Sequence, residues 1–398
     1  MSKARIGIWL IGARGGVATT TIVGLIALKK EFIGTSGLVS SLPQFGRLDL
    51  PEWSDFVVGG HEIRAVSLAD EAMRLVTESR IATPELIARC KTELNNIDQR
   101  ILPGTIHRVG KTIAQLADDA VPQRESPREA VDRLKRDLTE FAAANNLHHV
   151  IVVNVASTEP PVATGEIPKT WAQLEPLLER PRKCPLPASS LYAIAALDSG
   201  CSYVNFTPSL GSSPAAVGEL ARLRGGRHTG CDGKTGETLV KSVLAPMFAR
   251  RNLSVMSWVG HNIFGNLDGK VLEDPVNKAT KVGSKDRLLG EILGTRTQTH
   301  VSIEYIESLG DWKTAWDHVH FRGFLDVPMA LQFTWQGCDS ALAAPLVLDL
   351  VRFTECARRR GQNGLLTFLA SFFKSPLGVN EHRFDRQFQI LEAWAEGD

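Results

Sequence analysis

The residues best suited to chemistry lie in the second half of the chain, where short polar segments interrupt apolar ones. Gly230–Gly236 (GCDGKTG) carries Asp232 and Lys234, and Gly265–Lys270 (GNLDGK) carries Asn266, Asp268, Gly269 and Lys270. Lys281–Lys285 (KVGSK), Gly310–Lys313 (GDWK), Asp339-Ser340 and Phe373–Pro376 (FKSP) follow. Lys281 and Lys285 are four apart and would share one face of a helix. Two ammonium groups so close lower each other's pKa unless an anion sits between them, and a phosphorylated substrate is such an anion. A lysine held near neutrality can act as general acid or base, whereas a charged one steadies a developing enolate or alkoxide. Most lysines are merely solvated. Lys313 and Lys374 stand out because each lies beside apolar or aromatic residues.

Such side chains need a scaffold, and the first half of the chain supplies one. Ile6–Ile11 (IGIWLI) is a continuous apolar run ending in glycine, the pattern of a buried parallel strand. The turn Gly12-Ala13-Arg14-Gly15-Gly16-Val17-Ala18-Thr19 follows, and Thr20–Lys29 reads as a helix. Small residues there let backbone N–H groups approach a pyrophosphate, although the spacing departs from GxGxxG and many such turns serve only strand–helix packing. The acidic residue expected about 20 positions on is missing. Glu62, after a plausible strand, either engages an adenosine ribose or is a surface carboxylate. His149–Asn154 reads as a second strand, and its loop, with Asn154, Ala156, Ser157 and Thr158, is either a ligand-binding edge or a simple capped turn. Asn205 follows a third strand, Tyr203–Phe206, and would face the same crevice.

Helical periodicity at Ala69–Glu78, Pro84–Leu94, Pro127–Ala144 and Pro187–Leu197 alternates with these strands. That order predicts an α/β fold, a Rossmann-type doubly wound parallel sheet. After residue 225 the pattern changes. Thr238–Arg250 looks helical, Ser254–Trp258, Thr299–Tyr305 and Phe324–Trp335 look like strands, and Asp339–Arg358 is a long apolar helix. The expected organisation is a dinucleotide domain over 1–225 with a helical insertion at about 65–145. An inserted α+β catalytic and oligomerisation domain spans 226–335, and 336–398 returns to the first domain.

Composition narrows the function. Of 398 residues, 45 are Lys or Arg and 44 Asp or Glu, so the net charge of +1 gives no global reason to bind nucleic acid or an anionic membrane. The six cysteines form no CxxC pair, which predicts reduced thiols rather than disulfides or structural zinc. The apolar run near the N-terminus is broken by Gly12, Arg14, Gly15 and Gly16, and no stretch reaches the ~20 apolar residues of a membrane span. A cytoplasmic protein is expected. GKTG at 233–236 lacks the upstream glycine of a P-loop, and neither HExxH nor a nucleophile elbow occurs. His148 and His149 read as structural, while His261 beside Asn262 sits at a strand end.

Taken together, GARGGVATTT, VNVASTEPP, YVNFTPS, GCDGKTGETLVKSVLAPMF, HNIFGNLDGKVL and CDSALAAPLVLDL resemble the myo-inositol-1-phosphate (inositol-3-phosphate) synthase family, in its shorter archaeal and bacterial branch. The resemblance implies an isomerase of inositol and phospholipid biosynthesis, a homotetramer that uses NAD. It would convert D-glucose 6-phosphate to 1D-myo-inositol 3-phosphate by C5 oxidation, enolisation, aldol closure and re-reduction. It implies that Lys281, Lys285, Lys313 and Lys374 are catalytic, with Lys281 also at the phosphate. Asp232, Asp268 and Asp339 would orient lysines or hold a divalent cation near Asp268 and Asp339. Gly12 to Thr19, Glu62, Asn154, Ala156, Ser157, Thr158, Asn205, Asp232 and Ser340 would hold the cofactor, and Lys234, Asn262, Asn266, Gly269 and Lys270 the substrate. His261 and Trp312 depart from the family pattern. The bulky Trp312 beside Lys313 leaves open a related cyclase or dehydrogenase for another sugar phosphate.

Overall fold

The computed structural model describes residues 5–271, 289–294 and 297–397. Lys281 and Lys285 lie outside the described residues. Seven parallel strands form one sheet: β1 (Arg5–Ile11), β2 (Phe56–Glu62), β3 (Ile101–Pro103), β4 (Leu147–Asn154), β5 (Ser202–Asn205), β6 (Arg227–Gly230) and β11 (Gly364–Leu365). Their order is β11-β6-β5-β4-β1-β2-β3. Helices cover both faces, as continuous apolar strands require. Alternate residues of β1 enter opposite layers. Ile6, Ile8 and Leu10 pack against α1 (Gly16–Lys29), α2 (Leu68–Ser79) and α3 (Pro84–Asp98) together with the long helix α8 (Asp339–Arg359). Trp9 and Ile11 pack against α4 (Pro127–Ala144), α5 (Ala188–Asp198) and α6 (Ala215–Leu223). Each fully buried aliphatic or aromatic side chain there contributes roughly 1.5–3 kcal/mol.

The parallel register sets the position of the site. His61, Ile11, Asn154, Asn205 and Gly230 pair in succession across β2, β1, β4, β5 and β6. The loops after these strands therefore leave from one edge of the sheet, the carboxyl edge where such folds bind ligands.

After β6 the chain runs through α7 (Gly236–Arg250) into a second sheet of β7 (Ser254–Phe264), β8 (Gln298–Tyr305), β9 (Trp312–Arg322) and β10 (Pro328–Cys338). The order is β10-β9-β7-β8, with β9 antiparallel to both neighbours and β7 parallel to β8. Helix α7 covers one face through Ala245 and Phe248, packed on Trp258 and Val319. Beneath that face Lys241 is paired with Glu237 and lies 3.1 Å from Asp317, which also accepts from Trp258 Nε1. A Cβ at Gly260 would lie 2.9 Å from Lys241 Nζ, so glycine is the residue that lets β7 pass over this buried cluster.

Several expectations are corrected. The change of pattern expected after 225 precedes β6, which remains in the first sheet. The first helix begins at Gly16 rather than Thr20, since the last glycine of the turn already has helical geometry. The strand expected from Phe324 begins at Pro328. Phe324–Asp326 form a turn with Leu325 at φ 61°, and Phe324 is 89% exposed. The strand at Ser254 continues to Phe264 because its inward face meets buried polar groups that hide the apolar alternation.

Gly60 tests the sheet. A Cβ there would sit 2.4 Å from the backbone oxygen of Leu10 on β1 and 2.6 Å from the Ala13 side chain. Neither can yield without parting β1 from β2. Gly60→Ala should lower unfolding stability by on the order of 3 kcal/mol, read from urea denaturation followed by circular dichroism.

Candidate active site

The crevice begins at the glycine turn. Gly12 has φ +78°, and a Cβ on it would lie 2.8 Å from Ala156 Cα, so the loops after β1 and β4 touch backbone to backbone. The Gly12 and Ala13 N–H groups both donate to His61 O, at 2.9 and 3.1 Å. Gly15 caps α1 without a side-chain hydrogen bond, leaving the first N–H groups of that helix available to an anion. Gly12, Gly15, Gly16 and Val17 line the crevice. Ala13, Ala18 and Thr19 are instead buried in packing. The Arg14 side chain turns away to Asp98 at 2.8 Å.

Glu62 ends β2 on the crevice wall. One carboxylate oxygen accepts from Arg14 N (2.8 Å), the other from Ile63 N (2.8 Å) and Arg64 N (3.2 Å). It is a buried, fixed acceptor and not a surface carboxylate. It comes later in sequence than the usual acid because the segment between α1 and β2 is long.

The loop after β4 forms the opposite wall with Asn154, Ala156, Ser157 and Thr158. Asn154 donates to Asn205 Oδ1 and Thr207 Oγ1, both at 3.2 Å, and Asn205 donates to Ser209 O at 2.6 Å. Asn205 thus knits loops together and does not reach the crevice wall. Thr158 donates through both N–H and Oγ1 to Asp268 Oδ1 at 3.1 Å, which ties this edge to the segment after β7.

Several of the side chains expected to be reactive converge here. Cys231–Lys234 and Phe372–Ser375 run antiparallel as a two-strand ribbon, with Lys374 N donating to Asp232 O (2.7 Å) and Lys234 N to Phe372 O (2.8 Å). Lys374 Nζ donates to Asp232 Oδ1 at 2.8 Å. Lys313 enters from the start of β9, its ammonium 5.3 Å from the centre of the Phe264 ring. Asp339 opens α8 and accepts from Asn266 at 3.4 Å. Asp232, Asn266, Asp268, Lys313, Asp339, Ser340 and Lys374 all line one crevice with the glycine turn.

Other expected ligands are not there. Lys234 is buried and bonds to Gln387. Asn262 is buried in β7, Gly269 packs its backbone on the Phe264 ring, and Lys270 is exposed; none lines the crevice. Trp312 does not crowd Lys313, because neighbouring strand residues point to opposite faces. Its indole donates to Ser79 O at 2.7 Å. His261 lies exposed on β7 beside Ser302. Neither departure touches the crevice.

Among the lining residues not assigned from the sequence are Asp311, Glu159 and Thr235. Asp311 is buried behind Gly16 and accepts from Ser340 N (2.7 Å), Ser340 Oγ (2.9 Å) and Cys338 Sγ (3.0 Å). Burial, and then the charge of Asp339, push it up to about 6. Glu159 accepts from Ser189 N at 2.8 Å at the start of α5, and burial pushes it up to about 7. Thr235 caps α7 without a side-chain hydrogen bond and lines the crevice. The signals were faint: an acid between Gly310 and Trp312, an acid before two prolines, and a threonine before glycine.

Comparison with known proteins places the chain in a family. A family model described as myo-inositol-1-phosphate synthase matches residues 6–396. Inositol-3-phosphate synthase 1 of Bacteroides thetaiotaomicron is 32% identical over 96% of this chain and 92% of its own. The inositol-3-phosphate synthase of Caenorhabditis elegans shares the fold, with a TM-score of 0.86 at 22% identity over 98% of this chain and 85% of its own. A myo-inositol-1-phosphate synthase-related protein from Thermotoga maritima gives 0.80 at 24% identity, over 98% of each chain.

Asp311 makes a pH test. Its folded pKa of about 6 exceeds the ordinary 3.8, so the folded state holds this proton more tightly than the unfolded chain. That contribution to stability is full below 3.8 and is lost as pH rises through about 6. Asp311→Asn should therefore melt higher than the parent at pH 8 when both are free of cofactor. The gap should narrow as the pH is lowered towards 4, as thermal denaturation at several pH values would read.

Proposed function

The chain belongs to the myo-inositol-1-phosphate synthase family, and from that premise we propose how its crevice works. The reaction is the NAD-dependent, redox-neutral conversion of D-glucose 6-phosphate to 1D-myo-inositol 3-phosphate. C5 is oxidised, C6 is enolised, C6 closes on the C1 aldehyde, and C5 is reduced again. One observation carries the residue assignment: Lys313 from the second sheet and the Lys374–Asp232 pair from the first share a crevice with the glycine turn.

The turn fits a dinucleotide. Gly12 and Gly16 have no room for a Cβ, and the start of α1 offers uncapped N–H groups. Gly12, Gly15, Gly16 and Val17 would hold the pyrophosphate, Glu62 the adenosine ribose, and Asn154, Ala156, Ser157, Thr158 and Ser340 the remainder. When bound, NAD supplies the acceptor for the C5 hydride and returns it at the end.

The protein must do the rest: hold the open-chain sugar and stabilise oxygen as charge develops on it. Lys313 and Lys374 donate to the C5 and C1 oxygens. A fixed donor of this kind contributes on the order of 3 kcal/mol to the transition state. Asp232 aims the Lys374 ammonium, and the face of the Phe264 ring lies against the Lys313 side chain. Thr235, at the start of α7, and Asn266 line the same crevice and would receive the phosphate. By family resemblance Lys285 joins Lys313 at the C5 oxygen, and Lys281 serves the phosphate or proton transfer. Asp268 and Asp339 position the segments around the sugar.

Asp268 and Asp339 do not by themselves make a cation site. Asp268 Oδ1 already takes two donors from Thr158, and no group of three or more His, Cys, Asp or Glu side chains among the described residues is placed to hold a metal. No step is assigned to one.

We infer a homotetramer, supported by the outer face of the second sheet and its β9–β10 turn, where Trp316, Met329, Phe324 and Leu325 are exposed. We infer a cytoplasmic location without nucleic-acid or membrane partners. The six cysteines, none of them in a disulfide, support it, and no helix among the described residues is long and apolar enough to cross a membrane.

An NMR time course with glucose 6-phosphate and catalytic NAD⁺, with EDTA in a parallel tube, should show an inositol monophosphate accumulating without net NADH. NADH building up with no cyclised product would overturn the reading. Lys313→Ala should lower turnover by about 100-fold or more while NAD affinity stays within about threefold. Near-normal turnover would remove Lys313 from the mechanism.

A further inference from the structure

Lys234 is a buried lysine outside the crevice, yet it belongs to the ribbon that holds Lys374. It is 2% exposed, and its Nζ donates to Oε1 of Gln387, itself fully buried on α9 (Phe384–Glu396). Gln387 in turn donates to Glu381 O, and the Phe384 ring lies 5.8 Å from the Lys234 nitrogen. Among the described residues no carboxylate is within ion-pairing distance of Lys234. An amine buried against a neutral amide is costly to keep, and a methionine of similar length would fill the same space without that cost.

Its place in the ribbon gives the amine a use. Lys234 N is held by Phe372 O, and Lys374 N by Asp232 O, two residues away on either strand. Fixing Lys234 on α9 fixes the ribbon, and with it the direction of the Lys374 ammonium. We propose that Lys234 is a positioning residue for the Lys374–Asp232 pair, coupling it through the ribbon and Gln387 to the C-terminal helix. This assignment rests on the reading of Lys374 as a catalytic group.

The charges facing Lys234 are few. Burial pulls its pKa down to about 7, Glu381 opposes that, and Lys374 adds to it. Asp232 is paired with Lys374. As pH falls through about 7, Lys234 gains a proton and a second positive charge appears beside Lys374. Turnover should fall on that acid limb.

The test is steady-state kinetics of the full chain from pH 6 to 9 with glucose 6-phosphate and NAD⁺. Lys234→Met should lower kcat about tenfold or more with KM for the sugar phosphate within about threefold, and the inflection near neutrality should vanish. Wild-type kcat and an unchanged pH profile would overturn the proposal. If that variant does not fold, Gln387→Glu puts a carboxylate opposite the amine at nearly constant volume. It should move the inflection up by about one pH unit or more. An unmoved inflection would overturn the proposal equally. Failure of the parent protein to form inositol phosphate would instead strike the underlying assignment of Lys374.

Discussion

The pairing of Lys374 with Asp232 is the contact on which the crevice depends, because it joins two stretches of chain far apart in sequence. Asp232 follows β6 and Lys374 follows β11, and these strands are neighbours at one end of the parallel sheet. Their loops emerge together, zip into a ribbon, and aim one ammonium group into the crevice. A carboxylate at 2.8 Å fixes the direction of a side chain that is itself buried. The parallel sheet thus does more than hold the cofactor turn. Its register puts the cofactor turn and the ribbon along one edge.

Other charges in the molecule are buried at a cost the fold could have avoided. Lys241, Glu237 and Asp317 lie under the second sheet, and Asp311 and Glu159 lie against the crevice. Removing such groups from water is unfavourable unless geometry compensates, so their positions are informative. The cluster under β7 anchors α7, whose first turn faces the crevice. Asp311 holds the start of α8 against the start of α1. In both cases a buried acid fixes one element relative to another where a substrate must fit between them.

The sequence made the parallel sheet largely legible, for a physical reason: Ile6–Ile11 and Val150–Val153 are apolar on both faces and admit few other structures. It was less informative wherever burial is polar. β6 reads Arg-His-Thr-Gly, yet His228 and Thr229 are buried, with His228 bonded to Ser212. β9 turns Asp317 inward, which breaks the alternation that would mark a strand. At the site, the motifs brought Asp232, Asp268, Lys313, Asp339 and Lys374 to one crevice. Lys234 was misplaced because Asp232, at φ 64°, interrupts the alternation that would put residues 232 and 234 on one face of the ribbon. Asp311 and Glu159 were missed because only enclosure distinguishes them from ordinary surface acids, and enclosure is a property of the folded chain.

The ribbon also sets an order of assembly during synthesis. The glycine turn, Glu62 and the loop after β4 are all made within the first half of the chain. Lys374 leaves the ribosome only after the whole second sheet, and its docking needs β11 already laid beside β6. A growing chain therefore carries the first walls of the crevice well before Ser340 and Lys374 can complete it, so competence arrives in two stages separated by the whole second sheet.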